Sequence, residues 1–139
     1  MRLLWDFCTL YYRHMNVLMV TRDPDVLRDG SPAQALLKEQ AHLTNRLMVI
    51  VLNSHHRRSY ARKVTDNLWL FPTNAWAPFL KLLSALYVVR HEIFFRNRLQ
   101  ADLIIGTDPL SAGMAAFVIS RQYKKPLHIY VPRNIFSRF

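Results

Sequence analysis

The chain is predicted to fold as an α/β domain, a Rossmann-like open parallel sheet of strand order 3-2-1-4-5 with helices on both faces. Three observations carry this. Five short runs, at 16–21, 47–52, 68–71, 103–107 and 127–131, are almost wholly apolar, as parallel strands covered on both faces require. Helical patterns or long connections alternate with those runs, which is the signature of a parallel sheet. Right-handed crossovers then favour the order 3-2-1-4-5.

The elements follow in order. Residues 1–14 are apolar but broken by Arg2, Asp6, Arg13 and His14, and they precede a second methionine at Met15. They read as an N-terminal extension to a domain spanning 15–139. Asn16-Val17-Leu18-Met19-Val20-Thr21 is the first strand. Residues 22–30 form a polar loop with Asp-Pro and Asp-Gly turn signals. Ser31-Pro32-Ala33-Gln34 has the form of a capping box with proline at the first helical position, so a helix is expected from there to about Asn45. The second strand is 47–52. Residues 53–66 are read as a basic, partly helical connection, just reaching the dozen or so residues that a parallel crossover needs. The third strand ends at Pro72. A long helical pattern covers 77–99, the fourth strand 103–107, and a further helix 110–123. In that helix Leu110, Met114, Phe117 and Val118 fall at i, i+4, i+7 and i+8, one apolar face. Pro126 breaks the chain before the fifth strand.

At 139 residues one domain is expected, with enough chain for its own core. Nineteen Lys and Arg against nine Asp and Glu give a net charge of +10, which favours anionic partners such as phosphates, nucleic acid or an acidic membrane face. Cys8 is the single cysteine and cannot form an intramolecular disulfide, which fits a reducing compartment. No apolar run reaches the length of a membrane-spanning helix. The expected location is cytoplasmic, with peripheral contact at the inner face of the membrane as a variant. The six histidines show no metal-ligand spacing, and no metal is expected. No G-x-S-x-G, P-loop, paired-cysteine or dinucleotide fingerprint is present, which removes the support for hydrolase, NTPase and Rossmann dehydrogenase readings.

The segment Leu103-Ile104-Ile105-Gly106-Thr107-Asp108-Pro109 reads as a buried strand, a tight turn and a helix start, with Asp108 capping and Pro109 at the first helical position. Such a junction marks the ligand-binding edge of an open α/β sheet. Asp108 is either a ligand for an acceptor hydroxyl or a helix cap. Gly113 either admits a ligand or lets helix and strand pack closely. Arg22 and Asp23 leave the first strand at the same edge. Ser31 and Gln34 read as capping groups.

Met15-Asn16-Val17-Leu18-Met19-Val20-Thr21-Arg22-Asp23-Pro24, the segment from Ala101 through Asp108-Pro109-Leu110-Ser111-Ala112-Gly113, and Lys125-Pro126-Leu127 together resemble the N-terminal domain of GT-B glycosyltransferases, in the subfamily-4-like group. The resemblance covers 15–139 and rests on the linear order of these segments. It implies two Rossmann-like domains facing across a cleft, an N-terminal acceptor side and a C-terminal domain for the nucleotide-sugar. On that reading the chain is truncated, its partner is the missing C-terminal domain, and no cofactor is held by the chain alone. Arg22, Asp23, Gly30, Asp108, Pro132, Arg133 and Asn134 would line the acceptor side. Two departures stand out. Pro132 occupies the place of a family histidine and Asn134 that of an acid, although Phe136-Ser137 matches. The glycine-rich first loop is reduced to Gly30, where only glycine's access to positive φ permits close backbone approach.

The expected function is therefore the acceptor-side domain of a nucleotide-sugar-dependent transferase, inactive by itself. The alternative is a non-enzymatic basic α/β module that binds nucleic acid or an anionic membrane. No nucleic-acid module signature supports specific nucleic-acid recognition. Residues 79–95 are apolar around most of a helix, with Lys81, Arg90, His91 and Glu92 on a limited arc. They read as a core helix or as a membrane-surface helix whose Lys81 and Arg90 meet anionic head groups, which would suit a lipid-linked acceptor.

Overall fold

A computed structural model describes residues 14–53, 60–96 and 98–130. Residues 1–13 of the N-terminal extension and Pro132, Arg133 and Asn134 lie outside the described residues. Six strands form one sheet: β1 (Asn16–Thr21), β2 (Arg46–Val51), β3 (Arg62–Thr65), β4 (Leu68–Pro72), β5 (Leu103–Gly106) and β6 (Leu127–Ile129). Their order is β3-β4-β2-β1-β5-β6. β1 pairs in parallel with β2 and β5, β2 with β4, and β5 with β6. The sheet is thus α/β and mostly parallel. It differs from the expected five-strand order by one added edge strand, β3, which pairs antiparallel with β4.

β3 lies inside the stretch read as a connection. Its origin is local: Lys63-Val64-Thr65 runs into Asp66-Asn67, and the chain folds straight back into Leu68, with the Asn67 amide 3.4 Å from Thr65 Oγ1. β-Branched residues before a two-residue Asp-Asn turn make a hairpin. A register irregularity between Lys63 and Thr65, together with the Arg62 and Lys63 charges, blunts this strand against edge-to-edge pairing.

Among the described residues three α-helices cover the sheet: α1 (Pro32–His42), α2 (Pro78–Tyr87) and α3 (Ser111–Tyr123). α1 starts as expected. Ser31 Oγ accepts from the Gln34 amide at 3.1 Å, and Pro32 takes the first position. The return half of the capping box is absent, because the buried Gln34 side chain donates instead to the Val26 carbonyl and to Asp29 Oδ1, both at 3.2 Å. α1 ends at His42, short of Asn45. The Leu43 and Thr44 amides bond three residues back, tightening the last turn, and the Asn45 amide is drawn to the Met15 carbonyl at 3.0 Å.

α2 is also shorter than the expected helix. From Val88 to Arg96 it continues with wider, π-helical turns. Ala85, Val89 and Ile93 are fully buried at intervals of four residues. They hold both the α-helical and the wider-turned part against the sheet. β6 covers Leu127–Ile129, and the Tyr130 amide still donates to the Gly106 carbonyl at 2.8 Å; Val131 lies outside the described residues.

The core splits across the sheet, as the period-2 alternation of strand side chains demands. Val17, Leu47, Val49, Val51, Leu68 and Leu70 pack with Leu37 and Ala41 of α1 on one face. Leu18, Val20, Met48, Ile50, Phe71 and Ile104 pack with α2 and α3 on the other. Helices therefore lie on both faces, one on the first and two on the second.

α3 overturns a simple reading of its sequence. An apolar stripe normally faces the core. Here Leu110, Met114 and Phe117 are 65%, 61% and 50% exposed. The buried face is Ala112, Gly113, Ala115, Ala116 and Ile119. Close packing decides it: a Cβ on Gly106 would stand 2.8 Å from Gly113 Cα and 3.2 Å from Ala116 Cβ. Only small side chains fit between helix and strand at that distance.

Candidate functional site at the carboxyl rim

The parallel strands bring their carboxyl ends to one edge. Arg22 follows β1 there, Asn53 follows β2, Thr73 and Asn74 follow β4, and Thr107 and Asp108 follow β5. β1 and β5 are neighbours, but β1 leads on to α1 on one face and β5 to α3 on the other. In open α/β sheets, that divergence opens a crevice at the carboxyl ends, where ligands bind. Arg22 and Asp108 flank it.

The two side chains meet. Arg22 Nε lies 3.4 Å from Asp108 Oδ2, with the arginine side chain 60% exposed and the aspartate 14%. Asp108 Oδ1 accepts from the Leu110 amide at 2.8 Å. Oδ2 is buried and accepts no hydrogen bond from the described residues, so its contact with Arg22 is an ion pair without hydrogen-bond alignment. A half-exposed pair of this kind contributes little to stability, roughly 0–1 kcal/mol. Its significance is chemical: Oδ2 has no hydrogen bond, and the arginine lying against it is exposed enough to move away and uncover it.

The expected role of Asp108 as cap of the following helix is not what the structure has. α3 begins at Ser111, its N-cap is Leu110 without a side-chain cap, and Pro109 stands outside it. Asp108 instead closes an Asx turn two residues ahead of the helix. The reason is Gly113, whose missing Cβ would otherwise lie 2.2 Å from the Asp108 carbonyl oxygen. The Asp108 turn is thereby seated directly on the first turn of α3, and the close-packing role of Gly113 is the one realised.

The remaining expected residues are dispersed. Asp23 caps its own 3₁₀ turn, Oδ1 accepting from the Asp25 amide at 3.0 Å, and its amide donates to Thr21 Oγ1 at 3.3 Å. Gly30 has φ +78°, which favours glycine, but a Cβ there would meet nothing within 4 Å. Its requirement within the chain is conformational, and the space beside it is open. Ser31 Oγ donates to the Asp25 carbonyl at 2.5 Å, and Arg62 donates to the Leu27 carbonyl and to Asp29 Oδ1. These bonds, with Gln34, pin the loop after β1.

That pinning has a pH signature. The hydrogen bond from Gln34, then the charge and hydrogen bond of Arg62, hold the Asp29 carboxyl below its ordinary value. A carboxylate with a depressed folded pKa stabilises the fold above its unfolded pKa, and the contribution fades as pH falls through the folded value. Asp29→Asn is therefore expected to lower the thermal midpoint slightly at neutral pH, with the gap to wild type closing below the carboxylate range. A gap constant from pH 7 to pH 3 would refute it.

Sequence reasoning missed an asparagine pair beside the crevice. Asn53 Nδ2 donates to Asn74 Oδ1 at 2.7 Å, and the Asn74 amide donates to Asn53 Oδ1 at 2.8 Å. Asn53 is buried, and Asn74 takes φ +53°. Each is the first or second residue past a buried strand, a placement that could have flagged both. A recess of about 490 Å³ lies elsewhere, among Phe94, Arg98, Leu99, Gln100, Ala101, Tyr123 and Lys125 at the amino edge of the sheet. The rim holds the carboxylate oxygen without a hydrogen bond.

Comparison with protein-family models, curated proteins and solved structures finds no match to this chain. The functional reading rests on the rim itself. Among the described residues no group of three or more His, Cys, Asp or Glu side chains could hold a metal ion.

Proposed function

We propose that this chain is the acceptor-side domain of a nucleotide-sugar-dependent glycosyltransferase of the GT-B type, with the crevice between β1 and β5 as its hydroxyl-binding site. The supporting observation is the buried, hydrogen-bond-free Asp108 Oδ2 beside Arg22 at the switch in sheet topology. A carboxylate oxygen without a hydrogen bond is an acceptor for a sugar or polyol hydroxyl. The exposed Arg22 can turn aside to admit that hydroxyl or contact an anionic group on the acceptor. Nucleotide-sugar contacts would come from a second α/β domain facing this rim, so the chain alone is expected to transfer no sugar.

The test is ligand-observed NMR with a panel of saccharides and polyols, and a nucleotide-sugar turnover assay on the same protein. The expected result is weak saccharide binding, reduced about tenfold or more by Asp108→Ala, because a hydrogen bond to a charged group is worth roughly 1.5–3 kcal/mol. Arg22→Ala should change binding less. Nucleotide-sugar turnover by the chain, or saccharide binding indifferent to Asp108→Ala, would sink the proposal.

A further inference from the structure

The sheet face covered by α2 and α3 turns a second apolar layer outward. Phe79, Leu83 and Tyr87 are exposed on α2 at i, i+4 and i+8, while Leu110, Met114 and Phe117 are exposed on α3 at i, i+4 and i+7. The inward faces of both helices are occupied by the core. The two helices pack side by side on one sheet face, so their outward stripes look the same way. Trp76, 72% exposed just before α2, extends the patch. Exposed large apolar side chains gathered on one face of a small domain mark an interaction site.

Charge says what covers it. Both helices start at the carboxyl rim and run toward the amino edge, so their later turns lie together. There the exposed Arg90 and Arg98 follow α2, and the exposed Arg121 and Lys124 close α3. α3 carries no acidic residue, and the Glu92 carboxylate of the α2 continuation is paired with Arg96 at 3.5 Å. A face apolar toward one end and cationic toward the other, rich in Trp, Phe and Tyr, has the composition of a surface that lies in the lipid interface, aromatic rings at head-group depth and cations against anionic phosphates. None of the described helices is long and apolar enough to cross a membrane, so contact along the surface is the geometry available to them.

We infer that the outer face of α2 and α3 docks this protein onto an anionic lipid bilayer. Docking in this orientation brings the carboxyl rim, beside Trp76, Phe79 and Leu110, close to the lipid. The inference does not depend on the rim's chemistry.

The experiment is vesicle flotation of the full chain with pure phosphatidylcholine and with phosphatidylcholine containing about one third phosphatidylglycerol, repeated with single- and double-stranded oligonucleotides in place of lipid. Sedimentation of the lipid-free chain is run alongside. Binding to the anionic vesicles at least tenfold stronger than to neutral ones is expected, weakening with salt. Phe79→Ser with Phe117→Ser should lose about tenfold, and Arg90→Glu with Arg121→Glu about as much or more, since each cation near an anionic surface adds roughly fivefold. These side chains point outward, so circular dichroism of the variants should match wild type. Equal binding to both vesicle types overturns the inference. So does absence of vesicle binding, whether the chain stays monomeric, self-associates through this face, or binds oligonucleotides instead. Binding unchanged in both double variants overturns the assignment of the face.

Discussion

Replacing Gly113 with alanine should destabilise the fold by about 3 kcal/mol, and the loss should extend to the rim. The new methyl group would arrive 2.2 Å from the Asp108 carbonyl oxygen and 3.5 Å from Ile129 Cγ2. The first of these is backbone, held in turn by the hydrogen bond that the Leu110 amide donates to Asp108 Oδ1. No flexible side chain can move aside, so helix α3 must lift or the Asp108 turn must shift. Overpacking of this kind costs about 1–3 kcal/mol, and more where backbone has to move. For a chain of this size that corresponds to roughly 10 °C in the thermal midpoint. Gly30→Ala is the control. Its Cβ meets nothing, and only the φ of +78° is penalised, at about 1 kcal/mol. Chemical denaturation of the three proteins checks the ranking. A Gly113→Ala protein as stable as Gly30→Ala would show that helix α3 does not sit on the Asp108 turn. Because that turn carries the Oδ2 oxygen of the crevice, any saccharide binding should weaken in Gly113→Ala and persist in Gly30→Ala.

The parallel frame was legible because continuous apolar runs such as Leu47-Met48-Val49-Ile50-Val51 have one structural use in a chain of this size, burial on both faces of a sheet. The start of α1 was legible for a similar reason. Ser31 before Pro32 has a local hydrogen-bonding role that tertiary contacts do not override. Three features were not. The edge strand β3 is short and charged, and its pairing is visible only through the Asp66-Asn67 turn. The widening of α2 after Tyr87 has no local signal, since Ala85, Val89 and Ile93 at intervals of four fit an ordinary helix equally well. The start of α3 was misplaced because Asp-Pro carries the same signal for an Asx turn as for a helix cap, and the long-range contact of Gly113 with Asp108 decides between them. As to the site, both members of the Arg22–Asp108 pair were foreseen as rim residues. Their meeting follows from β1 and β5 being adjacent. The Asn53–Asn74 pair was not foreseen, since a lone asparagine after a strand looks like any loop residue until its partner strand is known.

The orientation of α3 yields a comparison in which hydrophobicity and burial point in opposite directions. Phe117 is a larger apolar residue than Ile119, and Met114 is about its equal in size. By size alone, Phe117→Ala should be the more damaging substitution. The structure reverses this. Ile119 is fully buried beneath the helix among Leu18, Ala115, Ala116 and Ile104, whereas Phe117 and Met114 face outward, Phe117 with the Arg121 guanidinium 5.9 Å from its ring centroid. Ile119→Ala removes three methyl-sized groups from a region already packed at glycine distances, where neighbouring backbone leaves little room to collapse. A loss of about 2–5 kcal/mol is expected, toward the upper end. Met114→Ala and Phe117→Ala should each stay within about 0.5–1 kcal/mol of wild type, and Phe117→Ala could raise solubility by trimming the exposed patch. Equilibrium unfolding in urea separates the outcomes. If Phe117→Ala proved as costly as Ile119→Ala, α3 would have to be rotated by roughly half a turn, which would bring its large side chains onto the sheet and abolish the close Gly106–Gly113 contact. Such a rotation would also remove half of the outward apolar layer, so this one stability series bears on both the core of the domain and the face assigned to lipid.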